Sequence, residues 1–546
     1  MSVAAFCRRR GFSLPLRHLP PGGVPLPVGD MLAAAGTALG SSWQAAGVFG
    51  RPPTASTAGC DALGALGLAL HMVTGCRHAF ALGTGRAALS VTLCAMRRLA
   101  PERDVVLLPA YTSYSVAAAA VHAGLRVRLY DLDPFTLAPR MEDVATQMDG
   151  RVLAAVACHL FGYPVPTAAL RSLCQGYGAR LVDDAAQAMG ARSADGLAGT
   201  TGDAGLFSLA RGKNITAVDG GLVIMHDDAL AASLATLAPW AVLPGVPGVP
   251  SVPGGEDNAG APAMASATAS ATAPATAPAM AFATASGPVH GPVPGPVPPV
   301  SCFVSAHASD VLCAPAESLA ATVARDMSLL ARAVAQRLFQ NPVLYWLPAS
   351  LPFLGIGTSR FDCHFAVAPL RPLQATLAAR AMGRLDAINA ARSGVAAALE
   401  QRLERVPGVR TLDVQPGAVP VHLRLPVLPA ACEWPGDTVP EAPRLGLVRS
   451  YPLSLQDLAA QTPSLAAHLL PGPDCPTARW LAATLLTLPT HAGVTHADMD
   501  AMADSLAVAT PGVGLDGVSG VAVCRSSATG SGCRTGAVGQ VCGGAR

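Results

Sequence analysis

Short apolar runs alternate with helical patterns along residues 60–240, and this alternation restricts the chain to a few architectures. Helices are predicted at residues 87–99, 115–123 and 167–177, and strands at 104–109, 125–130, 152–158 and 180–182. Strands that alternate with helices imply a parallel sheet, because each parallel pair needs a crossover connection. The pattern therefore predicts an α/β fold with a mainly parallel sheet that is covered by helices on both faces.

Two low-complexity stretches interrupt or follow this pattern. Pro, Ala, Gly and Thr dominate residues 241–300, and such a segment cannot bury enough side-chain area to offset its ordering entropy. Helical pattern returns near residue 318 and is strongest over 373–405. The chain is therefore divided into an N-terminal segment (1–59), a large domain (60–240), a disordered insertion (241–300), a smaller C-terminal α+β domain (301–508) and a disordered tail (509–546).

Composition excludes several classes of function. A net charge of +2 offers no electrostatic attraction for nucleic acid or an anionic membrane. No apolar stretch reaches the roughly 18 residues of a membrane span, and residues 342–357, with three prolines, are expected to form a buried loop or a membrane-surface contact. The 14 cysteines include no CxxC or CxxH pair, so no metal site is predicted. Three arginines at 8–10 lack the apolar region of a signal peptide, and a cytoplasmic location is expected.

The chain contains a single lysine, Lys213, whereas the other 36 of its 37 Lys and Arg residues are arginines. Arginine thus serves wherever any cation is sufficient. A lysine amine can be desolvated, deprotonated and condensed with an aldehyde, whereas a guanidinium stays protonated. Lys213 is therefore a candidate catalytic residue, and a chance surface lysine is the alternative.

Three segments around this lysine carry complementary chemistry. The turn TGRAAL at residues 84–89 opens a helix, and free N–H groups there can seat a phosphate. Asp184 follows an apolar strand, where a buried carboxylate needs a cation. Ser208 places a hydroxyl five residues before Lys213. Each feature alone is also explained by helix capping or packing, but together they match what pyridoxal phosphate requires.

The same motifs resemble the DegT/DnrJ/EryC1/StrS family of pyridoxal-phosphate-dependent sugar aminotransferases. The matching segments are TGRAAL, LPAYTSY, CHLFGYP, VDDAAQAMGA and GDAGLFSLARGKN, with weaker likeness in GRLDAINAAR and TLPTHAGVTHADMDAM. Without the insertion and the tail, the resemblance covers most of residues 60–508. It implies the aspartate aminotransferase type I fold, with a large domain around a mainly parallel sheet and a smaller C-terminal domain.

The resemblance also implies roles for individual residues. Lys213 is expected to form the Schiff base with the cofactor and to move protons. Asp184 is expected to pair with the pyridinium nitrogen, and Gln187 to contact the phenolic oxygen or the face of the ring. His159 matches a family histidine, and either a direct role or a satisfied core position is open.

Further expectations concern the cofactor phosphate and the ring. Gly85 and Arg86 are expected to offer backbone N–H groups to the phosphate, and Ser208 its hydroxyl. The family's stacking aromatic is replaced by Ser113 here, so Tyr114 is the expected substitute.

Two departures from the family pattern bear on the substrate. The segment that sends Asn and Arg into the partner's site in the family corresponds here to residues 362–367, which places His364 and Ala366 at those positions. His364 is therefore kept as a candidate substrate contact. Arg449 is a candidate for the donor carboxylate, with a surface arginine as the alternative.

The resemblance predicts a homodimeric aminotransferase with a shared active site. It would move an amino group from an amino acid, L-glutamate being the family's usual donor, to a keto sugar, in a nucleotide-linked form, during amino-sugar biosynthesis. Two alternatives stay open: another pyridoxal-phosphate enzyme acting on a deoxysugar or cyclitol, and a non-catalytic paralogue. Family members that dehydrate sugars carry histidine in place of the lysine, so Lys213 favours transamination.

Overall fold

The structure is a computed structural model that describes residues 17–45, 57–246, 318–351, 360–431, 433–434 and 439–509. Most of the insertion predicted at 241–300 and nearly all of the tail predicted at 509–546 lie outside these residues. Within the described part of the chain, no helix combines the length and the apolar character that crossing a membrane requires.

A seven-stranded sheet forms the centre of the molecule. In spatial order its strands are β1 (His78–Leu82), β9 (Gly221–Met225), β8 (Ala204–Ser208), β5 (Arg180–Asp184), β4 (Val152–Cys158), β2 (Val105–Pro109) and β3 (Arg126–Tyr130). Neighbouring strands from β8 to β3 are parallel, and β9 runs antiparallel to both β1 and β8. The predicted α/β fold with a mainly parallel sheet is confirmed.

Helices cover this sheet and connect its strands. They are α1 (Val28–Ala45), α2 (Thr57–Thr74), α3 (Gly85–Leu99), α4 (Tyr114–His122), α5 (Met141–Gln147), α6 (Ala168–Gly176) and α7 (Asp228–Leu237). A 3₁₀ turn at Leu160–Gly162 follows β4, and a short hairpin pairs β6 (Arg192–Ser193) with β7 (Gly196–Leu197). The helices and strands predicted from the sequence are confirmed, with ends that differ by at most two residues.

The described residues from 318 onward form a smaller sheet and eight α-helices. The helices are α8 (Leu319–Phe339), α9 (Trp346–Ala349), α10 (Pro372–Met382), α11 (Leu385–Leu403), α12 (Leu455–Gln461), α13 (Pro463–Ala466), α14 (Pro476–Thr484) and α15 (His496–Ala509). The antiparallel strands are β10 (Val409–Thr411), β11 (Arg424–Pro429) and β12 (Leu486–Pro489). The helical pattern over 373–405 is two helices, because the chain turns at Gly383 and Arg384.

Packing links this later part to the large sheet. Helix α10 packs against α1 and α2, and apolar side chains of α12 to α14, such as Leu458 and Leu481, belong to the same core as β2 and β4. A second core, which includes Leu399, Leu425 and Met502, lies between the small sheet and its helices α11 and α15. The chain beyond residue 360 thus contributes both to the large sheet's core and to a core of its own.

Candidate active site

The candidate site lies where several parallel strands end. The carboxyl ends of β4, β5 and β8 meet at one edge of the sheet, because Cys158 pairs with Asp184 and Asp184 with Leu206. A cavity of about 280 Å³ opens at this edge. Seven of the ten predicted site residues line it: Gly85, Arg86, His159, Asp184, Gln187, Ser208 and Lys213. Ligands bind at this edge in open α/β sheets generally.

The amino end of α3 faces the cavity. Thr84 is its N-cap, with extended backbone, and its hydroxyl accepts a hydrogen bond from the N–H of Ala87 at 3.1 Å. The N–H groups of Gly85 and Arg86 precede the first intrahelical hydrogen bonds, so they have no acceptor within the helix. The cap therefore leaves two N–H donors at the cavity, where the helix dipole also favours an anion.

Two glycines bring this helix end close to the sheet. A Cβ on Gly221 of β9 would lie 2.6 Å from Cα of Gly85 and 2.7 Å from the carbonyl oxygen of Thr84. A Cβ on Gly85 would lie 3.4 Å from the hydroxyl of Ser208. The absence of side chains at both positions therefore lets the hydroxyl of Ser208 stand beside the free N–H groups of α3.

Asp184 at the end of β5 faces the cavity and is only 6% exposed. Its Oδ1 accepts from the N–H of Ala186 at 2.9 Å, and the thiol of Cys158 donates to Oδ2 at 3.7 Å. Burial raises the pKa of Asp184, although the N–H of Ala186 and the charge of Lys213 act in the opposite direction. A cation held in the cavity would stabilise this carboxylate.

The preceding residue, Asp183, points to the other face of the strand. Its carboxylate accepts from Nε2 of His159 at 2.5 Å, from the N–H of Gly199 at 3.0 Å, and from the N–H and hydroxyl of Thr201 at 2.9 and 2.6 Å. Nδ1 of His159 accepts from the N–H of Val165 at 2.9 Å. Nδ1 of His159 is thus the acceptor and Nε2 the donor, and both ring nitrogens are hydrogen bonded.

Lys213 lies in the turn between β8 and β9, where its N–H donates to the carbonyl of Ala210 at 3.3 Å. The guanidinium of Arg392 donates to the carbonyl of Lys213 at 3.4 Å and to that of Gly23 at 2.7 Å. Burial lowers the pKa of the Lys213 amine, whereas the carboxylate of Asp184 acts to raise it. A lowered pKa increases the fraction of neutral amine, which is the nucleophilic form.

Gln187 forms another wall of the cavity, and its amide is held at both ends. Its Oε1 accepts from the N–H of Phe161 at 3.1 Å, and its Nε2 donates to the hydroxyl of Tyr451 at 2.9 Å. The ring of Tyr451 packs edge-on against Tyr111, with ring centres 5.6 Å apart. The position of Gln187 therefore depends on aromatic residues from distant parts of the chain.

Residues 64–242, which include the whole lysine and aspartate region, match the model of the DegT/DnrJ/EryC1/StrS aminotransferase family. Over these residues the chain is similar to that family. The protein is accordingly a pyridoxal-phosphate-dependent aminotransferase by class, with pyridoxal phosphate as its cofactor. The resemblance inferred from the motifs is confirmed.

Solved structures share the fold over 90% of this chain. DesI, solved in the presence of its TDP-sugar product, is 18% identical, with 93% of its chain covered and a TM-score of 0.57. The aminotransferase TlmJ from Streptoalloteichus hindustanus is 17% identical, with 98% covered and a TM-score of 0.56. The E. coli GDP-4-keto-6-deoxy-D-mannose-3-dehydratase with bound hydrated PLP is 13% identical, with 100% covered and a TM-score of 0.56. At such identities the likeness shows the fold, which is that of the type I aminotransferases.

The cavity of this aminotransferase fits its cofactor chemically. Asp184 is a buried carboxylate with a raised pKa, which suits a protonated pyridine nitrogen. The free N–H groups of Gly85 and Arg86 and the hydroxyl of Ser208 suit a phosphate, and the amine of Lys213 suits an aldehyde. Among the described residues, no group of three or more His, Cys, Asp or Glu side chains is placed to hold a metal ion.

Three predicted site residues, Tyr114, Arg449 and His364, do not line the cavity of this chain, and their roles stay predictions. The hydroxyl of Tyr114 donates to the carbonyl of Leu453 at 3.2 Å and accepts from its N–H at 2.9 Å, so the ring is held in the core and not over the cavity. Nε of Arg449 lies 3.4 Å from the carboxylate of Glu441. Glu441 therefore already compensates the positive charge that would attract the carboxylate of an amino donor. His364 is exposed beside Asp362, whose Oδ1 accepts from its N–H at 3.0 Å.

Two charged residues that also line the cavity, Asp219 and Arg360, were not among those predicted from the sequence. Asp219 follows Lys213 by six residues in the motif VDGG, and its position between the lysine and β9 was a usable signal. Burial raises its pKa, against the N–H of Gly220 and neighbouring arginines. Arg360 stands 147 residues beyond Lys213, and nothing in its local sequence indicates a site.

Proposed function

We propose that this aminotransferase moves the amino group of L-glutamate to a keto sugar, in nucleotide-linked form, in amino-sugar biosynthesis. One observation carries the proposal: the amine of Lys213, the carboxylate of Asp184 and the amino end of α3 surround a single cavity. Each of these groups meets one requirement of the cofactor, and they come from separate elements of the fold.

The residues around the cofactor would hold it and control its charge. When bound, pyridoxal phosphate supplies an electrophilic carbon and a ring that accepts electrons. Asp184 would hold a proton at the pyridine nitrogen, because the buried carboxylate is stabilised by the resulting cation. Gly85, Arg86 and Ser208 would bind the phosphate, and Gln187 would contact the ring while Tyr451 keeps its amide in place.

Lys213 would serve first as a nucleophile and then as a base. Its lowered pKa provides neutral amine at Nζ, which can bond to the cofactor and, once released, take a proton from the donor's α-carbon. In the second half of the reaction, the same amine would give a proton to the acceptor carbon that receives the amino group. Asp184, which lines the same cavity, would hold the proton at the pyridine nitrogen in both halves of the reaction.

The acceptor is proposed as a sugar nucleotide on two grounds. DesI shares the fold and was solved with a TDP-sugar product. The cavity of about 280 Å³ lies just below the roughly 300–1,000 Å³ that is typical of ligand pockets, so the nucleotide would extend out of it toward solvent. A cytoplasmic homodimer with a shared active site is part of the proposal, as the family resemblance implies.

A sugar dehydratase is the competing enzyme, since the E. coli dehydratase has the same fold. Lys213 lies in the cavity where dehydrating members carry histidine, which favours transamination. The non-catalytic paralogue is the remaining alternative, and retention of the chain's only lysine in the cavity argues against it.

The test is a spectrum followed by chemical trapping. The purified protein is expected to be coloured, and borohydride reduction is expected to attach the cofactor to the peptide that contains Lys213. Because the chain has one lysine, the main-chain amino terminus is the only competing amine. L-glutamate should then bleach the untreated protein, and a keto sugar nucleotide should restore its colour. A colourless protein that takes up no added pyridoxal phosphate would favour the non-catalytic paralogue, and bleaching by no amino acid would exclude transamination.

A further inference from the structure

Arg360 places a guanidinium in the cavity wall, where no other described residue forms an ion pair with it. Its side chain is exposed and lines the same cavity as Gly85, Ser208 and Lys213. None of the ion pairs or hydrogen bonds between side chains of the described residues includes Arg360. An exposed arginine in a ligand cavity is therefore available to bind an anion that enters.

The other arginine of the cavity, Arg86, is already engaged. Its Nη1 donates to the carboxylate of Asp362 at 3.1 Å and to the carbonyl of the same residue at 3.2 Å. Its guanidinium also lies over the ring of Phe365, 5.0 Å from the ring centre. The charge of Arg86 is thus compensated within the protein, whereas none of the residues that the structure describes compensates the charge of Arg360.

The backbone places Arg360 at the phosphate end of the cavity. Arg360 precedes Asp362 by two residues, a separation of at most about 7 Å along the chain, and Asp362 is held by Arg86 at the amino end of α3. The segment that follows is attached to the same region. Cys363 accepts through its carbonyl from Nδ1 of His122 at 2.9 Å, and the N–H of Gly83 donates to the carbonyl of Ala368 at 2.8 Å.

The charges around the cavity also call for such a cation. A phosphate monoester carries about −1.5 to −2 charges at neutral pH, and a helix end offers the equivalent of about half a positive charge. The carboxylates of Asp184 and Asp219 line the same cavity. Because Asp362 already compensates the charge of Arg86, the amino end of α3 would neutralise only a small part of the phosphate charge.

We propose that Arg360 binds the phosphate group of the cofactor, so that this chain supplies from its own sequence a guanidinium beside Gly85, Arg86 and Ser208. A guanidinium can give two parallel hydrogen bonds to phosphate oxygens, and this geometry makes arginine a strong ligand for a dianion. The inference rests on the proposed function, because it requires the cofactor in this cavity. A carboxylate or diphosphate of a substrate could bind the same guanidinium in the same way. The experiment distinguishes binding of the cofactor phosphate from binding of a substrate anion.

The experiment compares two probes on the apoprotein, pyridoxal phosphate and pyridoxal, which lacks the phosphate. Their dissociation constants are measured from the visible absorbance in wild type, Arg360→Ala and Arg360→Lys. Arg171→Ala is the control, since Arg171 is an exposed arginine of α6 that does not line the cavity. Arg360→Ala should bind pyridoxal phosphate about 10- to 100-fold more weakly, as for loss of a hydrogen-bonded charge, and Arg360→Lys by less.

The affinity for pyridoxal should be the same in all four proteins, because this probe carries no phosphate. Equal melting temperatures of the apoproteins would show that the exposed side chain can be removed without loss of structure. Unchanged affinity of Arg360→Ala for pyridoxal phosphate overturns the inference. If the KM for glutamate or the sugar nucleotide then rises, Arg360 serves the substrate's anion. A wild-type protein that binds neither probe would contradict the proposed function itself. This result differs from unchanged affinity of Arg360→Ala, which contradicts only the role of Arg360.

Discussion

Nε2 of His159 lies 2.5 Å from Oδ1 of Asp183, and both side chains are almost completely buried beside the cavity. Asp183 and Asp184 are neighbours on β5, so their side chains point to opposite faces of the sheet. Anchoring Asp183 to His159 therefore fixes the strand end that directs Asp184 into the cavity. We propose that His159 is a positioning residue, where the sequence alone left a direct role open.

Replacing His159 should reduce stability before it affects the chemistry. In His159→Ala the buried carboxylate of Asp183 and the N–H of Val165 each lose a partner, at a cost of about 2–4 kcal/mol. Urea unfolding measures the loss. Borohydride should still attach the cofactor to Lys213 in the fraction that remains folded. A folded, fully stable variant without turnover would contradict the positioning role and make His159 catalytic.

Lys213→Arg should abolish turnover and leave the fold intact. Arginine keeps the positive charge but provides no neutral amine, so activity should fall on the order of 10³-fold or more. Steady-state assays and borohydride trapping measure the effect, with no cofactor expected on the protein. The control, Arg171→Lys, adds an exposed lysine on α6 and should keep both activity and labelling at Lys213. Turnover of Lys213→Arg near the wild-type rate would refute the assigned role.

Asp184→Asn should remove activity while leaving the apoprotein as stable or more stable at neutral pH. The pKa of Asp184 is raised by burial, so the folded protein binds its proton more tightly than the unfolded chain does. Wild-type stability should therefore decrease as the pH rises from the usual 3.8 through the raised value, and the variant should lack this decrease. Urea unfolding of both apoproteins across that range tests the sign. A variant that is less stable than wild type at neutral pH would contradict the assignment.

Gly221→Ala should disturb the amino end of α3. The added Cβ would meet the backbone of Gly85 at 2.6 Å and of Thr84 at 2.7 Å, and backbone atoms cannot move aside as a flexible side chain can. We expect a loss of about 1–3 kcal/mol in the free energy of unfolding and weaker binding of pyridoxal phosphate. Gly36→Ala on α1 is the control, since no atom lies within 4 Å of its Cβ position. Equal cofactor affinity in both variants would contradict the close-packing argument.

His491 should contribute to acid sensitivity. Burial lowers the pKa of His491 from the usual 6.5 to about 4. The positive charges of Arg392 and Arg424 lower this pKa further, whereas the hydrogen bond to the carbonyl of Pro20 raises it. As the pH falls, the imidazole takes up its proton in the unfolded chain before it does so in the folded protein. The contribution of His491 to the free energy of unfolding is therefore fully present above pH 6.5 and decreases by roughly 3 kcal/mol as the pH falls toward 4.

The variant His491→Gln keeps a donor for the carbonyl of Pro20, which His491 contacts at 3.0 Å, but has no titrating group. Its stability should therefore fall less between pH 6.5 and 4 in urea unfolding. His71→Gln, at a partly exposed position on α2, serves as the comparison. An equal fall in His491→Gln and wild type would show that other groups cause the acid sensitivity.

Much of the fold and part of the site could be predicted, because their signals are local. The strands and helices of residues 60–240 follow from short apolar runs and helical spacing. Lys213, Asp184 and the turn before α3 stand in short motifs whose chemistry is specific, and each lies at an element end that the same patterns locate. The division of the later chain into domains remains a prediction.

The contacts of Tyr114 and Arg86, by contrast, join residues that are far apart in the sequence. Tyr114 was expected over the cofactor from its place beside Ser113, but its hydroxyl is bonded to Leu453, 339 residues away. The salt bridge of Arg86 joins it to Asp362 across 276 residues. Such contacts leave no periodic pattern in the sequence. The partner of a side chain can therefore be identified only when the positions of both residues in the folded chain are known.

The sequence by itself determined the class of fold, the family and the three chemical groups of the site, because backbone patterning and short motifs depend on neighbouring residues. Only the tertiary structure decided which polar side chains are already satisfied and which face the cavity. His159, Tyr114 and Arg449 are bonded within the protein, whereas Arg360 lines the cavity and forms no ion pair with any residue in the described part of the chain. The reason is that hydrogen bonding and burial depend on groups that the folded chain brings together from distant positions.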